Sequence, residues 1–214
     1  VFACNPQMVN AFYAPTFNSI NFPAAILQAP FFDAEADDAA NYGAIGAVIG
    51  HEMSHGFDDQ GCQFDKDGNQ NDWWTDEDKA NYSQRTKVLA DWFGAQEVQP
   101  GLKVNGEKTL GENIGDNGGI NVAFRALQNV MAKQPLPEKD GYSAAQRFFL
   151  SYARIWASNV APQFVAYLVN SDVHSPNHLR VNAALPHIDA WYEAWNIQPT
   201  DRLYLAPDKR AHIW

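Results

Sequence analysis

Cysteine is scarce in this chain of 214 residues, which carries only Cys4 and Cys62. Two thiols cannot build a cysteine-rich metal site or a dense disulfide framework, and whether they bridge is open at this level. Positive charge is also short: 15 Lys and Arg stand against 25 Asp and Glu, for a formal net charge of −10. A surface of that sign repels polyphosphates and anionic lipid, which argues against nucleic acid as a partner. No apolar run approaches the roughly 18 residues that a membrane span needs, so no membrane contact is expected from this segment. A basic leader followed by an apolar stretch is missing as well, and Val1 is not an initiating Met. The chain therefore reads as a mature piece or an excised fragment. Internal repeats and an evident linker are absent, so residues 1–214 read as one lobe.

What the chain has is core material, with 46% hydrophobic and 13% aromatic residues, enough to bury a substantial interior. Residues 10–28, rich in aromatic and β-branched side chains and broken by Pro15 and Asn18, predict two short extended segments around a turn. Between Asn41 and Asp58 the apolar positions Tyr42, Ile45, Val48, Ile49, Met53 and Phe57 recur at helical spacing. Thr75 followed by Asp76, Glu77 and Asp78 predicts an N-cap and a dipole-matched first turn, opening a helix to about Ala95. Asn105-Gly106 reads as a hairpin turn within the loop 99–111. Helices are expected over 112–133, 143–159, 162–170 and 186–195. The sum is an α+β fold, mainly α, with a small sheet.

The chemistry concentrates in His51-Glu52-Met53-Ser54-His55, an H-E-x-x-H pattern inside the first long helix. Residues four apart share a helical face, so both imidazoles can point at one ion while Glu52 flanks it. Two histidines leave room for a third ligand and a water on zinc. A further histidine six residues on, preceded by a glycine, would complete one class of zinc site, but Asp58 and Gly61 occupy those positions. The alternative is a carboxylate on another helix, and Glu112-Asn113-Ile114-Gly115-Asp116 supplies it. Glu112 can ligate while Asp116 accepts a hydrogen bond from the far nitrogen of a zinc histidine. Gly111, Gly115, Gly118 and Gly119 are costly in a helix unless something approaches closely; packing against the His51 helix would explain them. Asp172-Val173-His174-Ser175-Pro176, with Arg180 beyond it, offers a donor for an oxyanion and a guanidinium for a carboxylate. The other histidines, His178, His187 and His212, read as solvated. Asp65, Asp67 and Asn69 do not make a calcium loop, because Gly68 falls at the fourth position rather than the sixth.

Taken together, VNAFY (9–13), FPAAILQAPFF (22–32), NYGAIGAVIGHEMSHGFDDQG (41–61), DWW (72–74), LGENIGDNGG (110–119), DVHSP (172–176) and the terminal IW resemble the neprilysin-like zinc endopeptidases. The blocks keep the family's order from about Pro6 to Trp214. The resemblance implies a thermolysin-like catalytic lobe of the gluzincin type, holding one zinc ion on His51, His55 and Glu112. It implies Glu52 as the general base toward water activated by zinc, Asp116 as partner of a zinc histidine, and His174 as transition-state donor. Arg180 is then the residue that fixes the substrate backbone, and Asn10 with the Ala11 backbone is the edge that pairs with an extended peptide. Ile26, Phe31, Val48, Ile155 and Trp156 resemble the apolar pocket that receives a hydrophobic side chain just after the scissile bond. The implied substrates are short peptides, cut on the amino side of hydrophobic residues.

Ala211 stands where animal members usually carry cysteine, which implies a bacterial-type member. The family setting implies an extracytoplasmic location, periplasmic or secreted, while a cytoplasmic one stays open. Whole members are longer, and the N-terminal part with its helical cap lies outside this chain. A companion N-terminal fragment, or self-association, is therefore expected to cover apolar pairs such as Phe12-Tyr13, Phe31-Phe32 and Phe148-Phe149. The competing reading is a zinc-binding fragment with little or no catalysis that acts through protein interaction.

Overall fold

The apolar spacing after Asn41 does fold as helix, though not as a uniform one. In the computed structural model, which describes residues 4–213, α1 (Asp38–Asn41) passes into a π-helical segment, Tyr42–Gly46. It continues as α2 (Ala47–Ser54) and ends in a 3₁₀ turn, His55–Phe57. Asp37 starts the run as an N-cap, its carboxylate accepting from the Ala40 N–H, which satisfies one of the donors a helix start leaves unpaired. Burial splits the predicted apolar stripe. Ile45 and Val48 are buried, whereas Ile49, Met53 and Phe57 are exposed.

The partner of α2 is α4 (Leu110–Lys133), and their backbones touch. A Cβ at Gly119 would lie 2.5 Å from the Ala47 carbonyl oxygen and 2.7 Å from the His51 nitrogen. No side chain fits there, so the glycine expected to mark a close approach does so. Gly50 is the reciprocal position: a Cβ there would lie 2.8 Å from the Gly119 oxygen. This contact sets the distance between the two elements that carry the metal-ligand candidates.

Around this pair the chain adds helices whose starts are written in the sequence. Thr75 and Asp78 cap each other's N–H groups at the head of α3 (Asp76–Gly94), and Ser143 with Gln146 does the same for α5 (Ala144–Ile155). These are reciprocal capping boxes. The α5 helix lays Phe148 and Phe149 on Phe124 of α4, with ring centroids 5.2 and 5.3 Å apart. Both phenylalanines are buried, so this pair is core and not a surface awaiting a partner, contrary to the expectation from sequence. Then follow α6 (Pro162–Ser171), α7 (Asn177–Asn182) and α8 (Asp189–Trp195). The periodicity missed α7, a helix of under two turns without a side-chain cap.

Two small antiparallel hairpins complete the fold. β1 (Phe12–Ala14) pairs with β2 (Ser19–Asn21) in the register Phe12 to Asn21. Among the described residues β1 has no other partner, so its outer edge is open. β3 (Glu97–Gln99) pairs with β4 (Leu102–Lys103). The turn between them is Pro100-Gly101, with Gly101 at φ +77°, and not the expected Asn105-Gly106. Gly106 serves a different need: a Cβ there would strike the Ala90 carbonyl of α3.

His187 is buried rather than solvated. Its Nδ1 accepts from the Ala211 N–H at 2.9 Å and so pins the C-terminal tail. Cys4 and Cys62 are both free thiols. Among the described residues no helix is long and apolar enough to cross a membrane. Val1 and Trp214 lie outside the described residues.

Candidate active site

The helical turn between His51 and His55 brings both imidazoles to one side of α2, with ring centroids 4.6 Å apart. Glu112, in the first turn of α4, meets them: its Oε2 lies 3.1 Å from His51 Nε2 and 3.7 Å from His55 Nε2. One donor atom from each of His51, His55 and Glu112 lies within 4.8 Å of the other two. Each imidazole is held from behind by a carboxylate. Asp116 Oδ1 stands 3.0 Å from His51 Nδ1, and Asp58 Oδ2 stands 2.6 Å from His55 Nδ1. With Nδ1 occupied in both rings, Nε2 is the free ligand atom in both.

Asp58 was missed as a functional candidate. It appeared in the sequence only as a residue that closed off another zinc-site class. Its second oxygen accepts from the Gln60 and Gly61 N–H groups at 2.8 and 2.6 Å, so the loop after α2 fixes the carboxylate that orients His55. The signal available was local, an acid three residues after the second histidine.

The site tests well against zinc. Glu52 is buried, and its Oε2 has no hydrogen-bond partner. Glu112 Oε2 is also buried without an aligned hydrogen bond, although three histidine nitrogens surround it. Two orphaned carboxylate oxygens beside two imidazoles with fixed tautomers are what a cation would satisfy. A set of two nitrogens and one oxygen suits zinc, and among the described residues this is the cluster of such ligands.

Electrostatics follow from burial and these contacts. Burial raises the Glu52 carboxyl above its usual range, although the neighbouring histidines pull the other way. Burial also works against charge on His51, but contacts with Asp116 and Glu112 prevail and raise it to about 9. Burial opposes charge on Glu112, yet His174 and His51 beside it hold its carboxyl well below the usual range.

Arg180 and His174 close the other side. Arg180 is buried; its Nε and Nη2 donate to the two oxygens of Asp116 at 2.8 and 2.7 Å, and its guanidinium lies 3.8 Å from the Trp156 ring centroid. Tyr152 donates to the Arg180 carbonyl at 2.9 Å. His174 Nε2 lies 3.2 Å from Glu112 Oε2 while Asp172 Oδ1 holds its Nδ1 at 2.7 Å. Contact with Glu112 raises the His174 pKa.

Apart from Asp172, which stands behind His174, these groups face one cleft of about 480 Å³. Its walls include Asn10, Ala11, Ile26, Phe31, Val48 and Trp156, together with His51, Glu52, His55, Glu112, Asp116, His174 and Arg180. Ile155 is buried in the core beside Trp156 and does not line the cleft. Thus thirteen of the fourteen expected site residues meet at one place, and the open edge of β1 runs along it.

A gluzincin-like arrangement of this kind defines a class of metallopeptidase site, and comparison with known proteins gives the family. Residues 10–211 match the model of Peptidase family M13, and the chain belongs to that family. It is 42% identical over 97% of its length to the neutral endopeptidase of Lactococcus lactis subsp. lactis. It is 40% identical over 97% of its length to neprilysin of Homo sapiens. Among solved structures, the zinc metalloprotease Zmp1 of Mycobacterium tuberculosis in complex with inhibitor superimposes over the whole chain with a TM-score of 0.97 and 45% identity. The chain spans about a third of the length of these proteins: 31%, 28% and 34%, respectively.

Proposed function

We propose that this chain is the catalytic lobe of a zinc endopeptidase that cleaves short peptides on the amino side of hydrophobic residues. The observation that carries this reading is the convergence of His51, His55 and Glu112 beside the unpartnered carboxyl oxygen of Glu52, in a cleft that has an open strand edge. His51, His55 and Glu112 would hold one zinc, with Asp116 and Asp58 fixing the two imidazoles. When bound, zinc supplies a Lewis acid that polarises the substrate carbonyl and acidifies water beside it.

The residues of the chain do the rest. Asn10 and the Ala11 backbone lie at the entry to β1, where an extended peptide can pair in β-augmentation mode. Ile26, Phe31, Val48 and Trp156 present apolar walls to the side chain that follows the scissile bond. Glu52, raised in pKa by burial, is poised to take a proton from water and deliver it to the leaving amine. His174, steadied by Asp172, donates toward the oxygen that gains negative charge. Arg180 holds the substrate carbonyl while bound to Asp116.

Glu52→Gln tests the assignment, since it preserves shape and removes the base. Turnover should fall by at least roughly 10²–10⁴-fold with zinc content unchanged; unchanged turnover at full zinc content refutes the role. The second reading is a zinc-binding fragment with little or no catalysis that acts through protein interaction. The exposed side chains of Ile49 and Met53 on α2 and of Phe57 in the turn after it suit such a contact. An extracytoplasmic setting fits both readings.

A further inference from the structure

A polar chain, distinct from the zinc site itself, links the metal helix to the His174 loop. Ser175, 2% exposed, donates its hydroxyl to Asn113 Oδ1 at 2.9 Å. Asn113, 1% exposed, donates through Nδ2 to Thr109 Oγ1 at 2.9 Å, and Thr109 donates onward to the Asn105 carbonyl at 3.2 Å. Each link has its donor and acceptor, so both ends set the orientation of the Asn113 amide. Three buried polar side chains need such partners, whereas apolar residues of similar size would need none. Their placement gives a reason for them.

Asn113 follows Glu112 on α4, and Ser175 follows His174 in the loop between α6 and α7. Successive helix positions point about 100° apart, so Glu112 can face the cleft while Asn113 faces the loop. His174 is only partly buried, and Asp172, its orienting partner, belongs to the same loop. Asp172 can turn the ring but cannot fix where the loop stands against α4. The Lys108 bond to the Asn170 carbonyl is exposed, and Arg180 ties in only on α7. Apart from the contact of His174 itself with Glu112, the buried Ser175–Asn113 bond ties the loop directly to the turn that carries Glu112.

We infer that Ser175 and Asn113 are positioning residues that hold the His174 loop in register with the Glu112 turn of α4, so that His174 stands over the metal-ligand atoms. This rests on the role proposed for His174 in peptide cleavage. The test uses the full zinc-loaded chain with Ser175→Ala and Asn113→Ala, singly and together. Each single change should lower kcat by about 10- to 10²-fold through misplacement of the donor, with KM and zinc content nearly unchanged. The double variant should be no worse than Asn113→Ala alone, because that change already breaks the bond that Ser175→Ala removes. In a His174→Phe background, Ser175→Ala should change kcat by less than about 2-fold, and Ser175→Thr, which keeps the hydroxyl, should retain most of the activity.

Amide exchange gives a readout independent of turnover. It should quicken at least about 10-fold over residues 172–175 in both single variants while α4 keeps its protection. Loss of zinc, an undiminished effect in the His174→Phe background, or unaltered exchange in the loop would each overturn the inference. If the unsubstituted chain cleaves no peptide but loop exchange responds as described, the peptidase reading fails and the tether stands. An active enzyme whose kcat and loop exchange ignore Ser175→Ala shows the reverse.

Discussion

The contact between α2 and α4 can be probed with a single methyl group. In Gly119→Ala the new Cβ would sit 2.5 Å from the Ala47 carbonyl oxygen, where ordinary contact begins near 3.4 Å. The difference, 3.4 − 2.5 = 0.9 Å, must be absorbed by the two helices moving apart, because the obstructing atoms are backbone. Zinc-ligand distances tolerate deviations of about 0.2 Å, and in the proposed site Glu112 on α4 would have to reach the same ion as His51 and His55 on α2. The displacement is therefore several times what the metal geometry allows.

The stability balance is milder. Overpacking costs about 1–3 kcal/mol, and replacing glycine by alanine inside a helix returns about 0.5–1 kcal/mol. A net loss of about 0–2.5 kcal/mol leaves a domain with the usual 5–15 kcal/mol of stability folded. The expected variant is thus folded by circular dichroism, yet low in zinc after dialysis and low in peptidase activity. Gly101→Ala is the control, as nothing lies within 4 Å of its added Cβ. It should lose about 1–2 kcal/mol through its left-handed backbone and keep its zinc. A Gly119→Ala protein with normal zinc and turnover would falsify the claim that this contact positions the ligands.

Three further outcomes are expected. Glu112→Ala should leave the purified chain depleted of zinc by elemental analysis, and a full complement would remove Glu112 from the ligand set. His174→Phe should lower kcat with little change in KM; an effect on KM alone makes it a ground-state contact instead. Burial lowers the His187 pKa from 6.5 to about 4, so between those values the unfolded chain binds more protons than the folded one. Stability from this group is complete above pH 6.5 and falls as pH drops toward 4, by about 3 kcal/mol in all. Denaturant titrations at pH 7 and pH 4 should show that loss diminished in His187→Asn, and an equal loss in both proteins refutes the assignment.

The legible parts of the chain were those where chemistry and periodicity coincide. His51 and His55, and again Glu112 and Asp116, are four apart on helices, so helical geometry alone put each pair on one face. Thr75 and its acids announced the start of α3 for the same reason, a local rule with a local outcome. Other features depended on what arrives from elsewhere. An aromatic pair such as Phe148-Phe149 reads the same whether it meets Phe124 or a partner protein. Asn105-Gly106 has the composition of a turn, but Gly106 is needed because α3 passes close by, and Gly101 makes the turn. Asp58 could orient His55 only because α2 ends at Ser54 and the chain doubles back. His187 looked like any loop histidine until the tail folded over it.

The open edge of β1 carries a consequence for what this protein leaves alone. The strand is three residues long, about 10 Å at the usual rise. A backbone can pair with it only if its own N–H and C=O groups are free, a condition that helices and sheet interiors do not meet. If peptides pair there as proposed, the edge would act as a sensor of disorder, admitting loose chains and ignoring folded ones whatever their sequence. Its brevity has a second effect. Unprotected strand edges invite sheet-to-sheet aggregation, and very short ones resist it, so an edge of three residues offers little purchase to another copy of the same strand.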